Sequence, residues 1–299
     1  MKLFSIFLLL FSLASFAQIN GDHIVETHFR INGKDTNHVM AGKPTTIEVW
    51  YTHKDTGEVY KDFKLMHGKI MHMVLIKDDM SVFKHIHPYH DPVTGIFQIT
   101  LNLPLSDPDN FHTAEALTKG GMYMLMADVE IQDVGMRMGH KMLHAMGENP
   151  VNTILMDEVN PDGSITKFFT ENGKDYKINL FMEQTAGCSG SLVEFRVSLF
   201  EKDENENYIP AQALEDWLTQ GAHAVWVSDG LMHGMHHMHF AHMHSALPVD
   251  DTEFVFGFHD NKIMKSGLQR AWFQIKENGK VLTIPFTFDY QALPSAQCR

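Results

Sequence analysis

Cysteine is scarce in this sequence: Cys188 and Cys298 are the only two in 299 residues. A blue-copper electron-transfer centre needs a thiolate beside two histidines, and neither cysteine has such neighbours. In an oxidising compartment the pair either closes one disulfide, tying the C-terminus to the start of the second half, or stays as two thiols; both readings stand. Basic residues are also few, with 24 Lys+Arg against 37 Asp+Glu and a formal charge of −13. Phosphate binding needs a basic face, so the balance argues against nucleic acid, whereas an acidic surface suits cations. Long apolar runs are absent beyond the N-terminus, which argues against a membrane span. The one such run, Leu3 to Leu13, follows Lys2 and precedes Ser15-Phe16-Ala17, and so predicts a secretory signal peptide over residues 1–17. The mature chain is expected to begin near Gln18, without a lipid anchor, and to be periplasmic or secreted. A terminal Gln also argues against a copper oxygenase that ligates through an N-terminal histidine.

Histidine and methionine, by contrast, are abundant, with 20 of each. Their placement is ordered. The stretch His72-Met-Val-Leu-Ile-Lys-Asp is followed by Phe83-Lys-His85-Ile-His87-Pro88. The stretch His223-Ala-Val-Trp-Val-Ser-Asp is followed by Phe240-Ala-His242-Met-His244. A strand turns residues i and i+2 to one face, so His85 with His87, and His242 with His244, each aim two imidazoles at one point, with His72 or His223 offering a third. Three convergent imidazoles suit a transition metal. Met71 and Met73 fall on the strand face opposite His72 and read as core packing. Two Met/His tracts add further donors: Met136, Met138, His140, Met142, His144 and Met146 at two-residue spacing, and His233, Met235, His236, His237, Met238 and His239. Thioethers are soft and select Cu(I), while imidazole also accepts Cu(II), zinc and nickel, so the mixture points to copper.

Strand periodicity runs nearly throughout, in short β-branched or aromatic segments bounded by turns such as Asn172-Gly173 and Asn278-Gly279. One short helix is expected at Ala211 to Thr219. The two His-bearing segments sit in halves whose other strands also register: Gly121-Met-Tyr-Met-Leu-Met-Ala-Asp128 matches Gly267-Leu-Gln-Arg-Ala-Trp-Phe-Gln274. The pattern predicts an all-β protein of two tandem antiparallel β-sandwich domains, residues 18–160 and 173–299, with a linker at 161–172. The tract 133–149 reads as an insertion into a hairpin of the first domain.

The segments Lys69-Ile-Met-His-Met-Val-Leu-Ile-Lys-Asp-Asp, Phe83-Lys-His-Ile-His-Pro88 and Gly279-Lys-Val-Leu-Thr-Ile-Pro-Phe286 resemble a family of exported bacterial tandem immunoglobulin-like proteins related to the YtkA-like domain. The resemblance covers most of the mature chain. It implies an immunoglobulin-like fold for both domains, a His-x-His-Pro motif in each half, and an architecture similar to copper-resistance sandwich domains. Two departures are visible: Ser245 stands where the second motif has proline, and the Met/His stretches 133–149 and 231–238 are additions.

Three functional classes follow. The first is an exported copper-binding protein for sequestration, tolerance or delivery, holding Cu(I) or Cu(II) at the triads and exchanging it with a copper-accepting or copper-donating protein. The second is a metalloenzyme with an open three-His zinc or copper centre, for which no general acid or base is evident. The third is a structural or adhesion module whose histidines only pack turns.

Overall fold

The computed structural model describes residues 24–103, 113, 115–150, 152–182, 186–188, 192–228, 240–248, 253–259 and 266–293. The expected signal peptide, the Met/His tract 232–239 and Cys298 lie outside them, as does the side chain of Cys188. Among the described residues the chain is all-β, with no α-helix and hence no helix long and apolar enough to cross a membrane.

The N-terminal half runs through β1 (Val25–Ile31), β2 (His38–Met40), β3 (Thr45–His53), β4 (Phe63–Lys64), β5 (Met71–Lys77), β6 (Phe83–Ile86), β7 (Tyr89–Asp91), β8 (Ile96–Leu101), β9 (Gly121–Ile131) and β10 (Gly135–Met146). The C-terminal half runs through β11 (Ser164–Glu171), β12 (Lys174–Met182), β13 (Ala186–Cys188), β14 (Leu192–Lys202), β15 (Tyr208–Pro210), β16 (Leu214–Glu215), β17 (Ala222–Ser228), β18 (Phe240–Ser245), β19 (Phe254–His259), β20 (Gly267–Glu277) and β21 (Lys280–Leu293).

Each half contains two sheets. In the first they are ordered β1-β3-β8-β7 and β2-β10-β9-β5-β6, with β4 on β9; in the second, β11-β12-β14-β15 with β19 on β14, and β13-β21-β20-β17-β18 with β16 on β20. The larger sheets are copies of one plan: β5, β6, β9, β10 and the parallel strand β2 correspond to β17, β18, β20, β21 and β13. Each pair of sheets encloses its own apolar core, one including Ile47, Phe97, Leu75 and Leu125, the other including Val197, Phe256, Trp226 and Phe273.

A third cluster joins the halves. Strand β5 is buried at every position: Met71, Met73 and Leu75 face the first core, while Val74 and Ile76 face outward into a cluster with Met124 and Met126 of β9. From the other half the same cluster takes Val225 and Val227 of β17, Phe240 of β18 and Trp272 of β20. Phe83 stacks on Trp272 across this junction, with ring centroids 4.7 Å apart. A sheet that buries both faces loses the alternation of a half-exposed strand and reads as a continuous apolar run, which β5 and β17 both show.

Three expectations are corrected. The Met/His tract is not an insertion into a hairpin. It is strand β10, paired antiparallel with β9 from Gly135↔Ile131 to Ala145↔Gly121 and parallel with β2. Arg137, Leu143 and Ala145 point inward on that strand, so the two-residue spacing of Met and His is simply its other face. Residues 211–219 form no helix: Leu214 and Glu215 pair with Glu277 and Lys276, and Trp217 to Gln220 close a turn, since cross-strand bonds satisfy the backbone here. Most of the expected linker, 164–171, is strand β11, paired along its length with β12.

Candidate metal centre

The two larger sheets bring their histidines to one place. On β5, His72 shares the outward face with Val74 and Ile76 and lies opposite Asp128 of β9; on β6, His85 lies opposite Val74. In the other half His223 lies opposite both His244 and Gln274, and His242 opposite Val225. The potential ligand atoms of His72, His85 and His87 all lie within 4.8 Å of one another, and so do those of His223, His242 and His244. Either group can hold a metal ion.

The groups also adjoin each other. Ring centroids separate His85 from His242 by 5.1 Å, His85 from His223 by 5.6 Å and His72 from His242 by 5.8 Å. Within the triads the spacings are alike, 4.8 Å for His85–His87 and 4.6 Å for His242–His244. The turns before β5 and β17 complete the cluster. Both are tight turns with two successive positive φ angles, at His67 and Gly68 and at Leu218 and Thr219, the type I′ pattern. A Cβ on Gly68 would meet Thr219 Cγ2 at 3.5 Å, so the two turns touch. From the first, His67 packs on His244 of the other half with centroids 3.8 Å apart. Beside the second, Trp217 covers His223 at 4.9 Å and reaches His85 and His87 at 5.5 and 6.2 Å.

The hydrogen bonds select tautomers. His72 Nε2 lies 2.8 Å from the carbonyl oxygen of Met66, which only accepts, so this nitrogen carries the hydrogen. With the Gln274 amide assigned so that its Nε2 donates to Thr283 Oγ1, its Oε1 accepts from His85 Nδ1 at 2.9 Å. His72 Nδ1 and His85 Nε2 lie 3.1 Å apart, a hydrogen-bonding separation whose donor depends on the His85 tautomer. The same separation suits a shared cation, because metal–nitrogen bonds of about 2.0–2.1 Å place neighbouring donors roughly 2.9 to 3.4 Å apart. Donation of the outer ring nitrogen to an oxygen is also how metal-bound histidines are held.

Burial gives the same picture. His72, His85 and His223 are at most 2% exposed. Both ring nitrogens of His223, and Nε2 of His242 and of His244, are buried with no hydrogen-bond partner among the described residues. Leaving such atoms unsatisfied costs about 1–3 kcal/mol each, and metal coordination removes the deficit. Desolvation, reinforced by the neighbouring His85, lowers the pKa of His72 to about 3. Desolvation is also the main cause holding His223, His242 and His244 well below the usual imidazole range. These rings are therefore neutral at pH 7, the form that binds a metal. Asp128, the cross-strand neighbour of His72, is buried with Oδ1 unpartnered among the described residues, and desolvation raises its pKa to about 7.

The expected donors outside the triads divide. Met138 and Met142 of β10 are half-buried and pack on the cluster between the halves. Met136, His140, His144 and Met146 are exposed on the same strand, where His144 stands 5.3 Å from His38. His233, Met235, His236, His237, Met238 and His239 fall outside the described residues. Three neighbours of the triads were not singled out from sequence, Trp217, Asp128 and Gln274, whereas the Met66-His67 pair already reads as packing around the first site. The His-Gly pair at 67–68 is a turn signal, while Asp128 and Gln274 align with each other in sequence and their histidine neighbours follow from the strand register.

None of the curated proteins matches the chain. Among solved structures, it is similar to a tetra-tandem repeat from the extending region of a large adhesion protein, at 6% identity over 86% of this chain and 47% of that one, with a TM-score of 0.24. The chain thus spans about half the length of that relative. It is also similar to the sporulation control protein Spo0M from Bacillus subtilis (12% identity, 59% and 79% covered, TM-score 0.22). A third similarity is to the Yersinia pseudotuberculosis adhesin InvE (9%, 90% and 61%, 0.24). Residues 25–144, the β1–β10 half, match a family described as a domain of unknown function, DUF8832.

Proposed function

We propose that this protein is an exported copper-binding protein of the periplasm or cell exterior, built as two tandem immunoglobulin-like sandwiches related to the YtkA-like domain. It takes up copper for sequestration, tolerance or delivery to a partner protein. The observation that carries the reading is the convergence of two buried three-histidine groups, His72, His85 and His87 and His223, His242 and His244, each with its potential ligand atoms within 4.8 Å of one another. Copper is favoured over zinc by the donor set: imidazoles without a carboxylate among the grouped ligands, and thioethers of Met138 and Met142 packed on the adjoining cluster. Capture is favoured over catalysis because the triads are roofed by Trp217 and His67 and Asp128 is the one acidic group at the register positions around them. Competition dialysis of the mature protein against equal copper and zinc tests the reading. Retention of copper over zinc, lost on replacing His85 and His87 by Ala, is the expected result; equal or preferential zinc uptake overturns it.

A further inference from the structure

We infer that the two triads form one dinuclear centre, in which each half supplies three imidazoles to one ion and the two ions lie close enough to share a single small oxygen donor such as hydroxide. This rests on the copper-binding reading and deepens it. Three of the four cross-triad ring contacts, 5.1 to 5.8 Å, fall in the range found within a triad, 4.6 to 5.9 Å, and the fourth, His72–His223, is 6.4 Å. Two ions held by such adjoining groups would lie side by side, the arrangement of bridged two-metal sites, whose ions are about 3.5–4 Å apart. One ion shared by all six rings fits less well, because tetragonal Cu(II) uses four strong donors and would leave two imidazoles stranded in a buried site. The site is also incomplete in either half alone. His85 Nδ1 is hydrogen-bonded to Oε1 of Gln274 in the opposite half, and His67 lies against His244 across the junction. Trp217 of the C-terminal half covers His85 and His87 of the N-terminal one. The space between the triads is narrow, bounded by the rings themselves, by Val74 and Val225 and by Asp128 and Gln274 at the register positions beside them, so a bridging ligand must be small.

The test is spin counting on the full mature chain. The protein is loaded with Cu(II), weakly held ions are stripped with a moderate chelator, and bound copper is compared with the integrated electron paramagnetic resonance signal. Two ions per chain with an integrated signal far below the bound copper, and a copper–copper scattering path in X-ray absorption, are expected. Two ions at full signal, or a single ion per chain, overturn the dinuclear centre while leaving copper binding intact; absence of bound copper overturns both. The variant His242→Ala/His244→Ala should hold one ion and recover its full signal. If that variant does not fold, the measurements on the unaltered protein decide alone.

Discussion

His85 of strand β6 donates its Nδ1 hydrogen to Oε1 of Gln274 on strand β20, 2.9 Å away and 189 residues further along the chain. The bond fixes the ring so that Nε2 faces His72, and it does so from the opposite half of the molecule. Replacing Gln274 by Leu removes the acceptor and leaves the shape. Loss of such an outer partner typically lowers metal affinity about 10–100-fold. A copper competition assay on Gln274→Leu should show a loss of that order, and wild-type affinity would mean that the ring is oriented by packing alone.

The metal-free protein should be acid-labile, and the sign follows from the lowered pKa values. A histidine depressed on folding takes up its proton more readily when unfolded, so its contribution is intact above about pH 6.5 and is lost as pH falls toward the folded value. For His72 that window runs from 6.5 to about 3, and His223, His242 and His244 are shifted in the same direction. Each such group removes about 1.4 kcal/mol per pH unit within its window. Four groups shifted in the same direction add their slopes, so the loss is steep. Urea unfolding of chelator-treated protein should show steep loss between about pH 6 and 4.5. Bound copper should be retained well below pH 6.5 and leave with unfolding, which simultaneous circular dichroism and metal release will show.

Asp128 carries the opposite sign. Its folded pKa, about 7, stands above the usual 3.8, so the penalty for keeping it buried appears as pH rises through that interval and is complete above it. Asp128→Asn should stabilise the metal-free protein by a few kcal/mol at pH 8, with the gain shrinking toward pH 4. In copper-loaded protein the gain should vanish, because the carboxylate then offsets the charge of the ion. Denaturant midpoints at the two pH values, with and without copper, decide this.

Leu218 and Thr219 hold φ angles of 54° and 60°, a region costing a residue with a Cβ roughly 1–2 kcal/mol and most unusual for a β-branched one. Asn-Gly is the favoured pair for this turn. Leu218→Asn/Thr219→Gly should raise stability by about 1–2 kcal/mol and leave copper stoichiometry unchanged, as read by thermal unfolding and metal analysis.

Much of this arrangement was legible in the sequence for one reason: strand periodicity carries both the fold and the ligand geometry. The continuous apolar runs Met71 to Ile76 and Ala222 to Val227 located β5 and β17, and the i, i+2 pairs gave both triads. The same signal was misread at Met136 to Met146. Its inward residues include Arg137 and Gly139, which do not look like a core face, so a sheet strand resembled a loop. Deleting 136–146 would consequently remove the partner of β9 and β2 rather than a surface appendage. The helix expected at 211–219 failed because local propensity was outweighed by pairing with β20, a contact some 60 residues away that no local pattern carries. The meeting of the triads was equally hidden, since it depends on which outward sheet face is covered by which.

The junction between the halves has one further consequence. In a dimer of identical chains related by a two-fold axis, each interface residue is repeated, so any device on one side is present on both. Here the two sides are joined in one polypeptide and differ at matched places: Asp128 against Gln274, Met126 against Trp272, and the His67 turn against the Leu218 turn. Tandem fusion thus allows the paired histidines to sit in unequal surroundings, one carrying an acid and the other an amide. Two like ions can then differ in affinity and reactivity, which a symmetric assembly forbids.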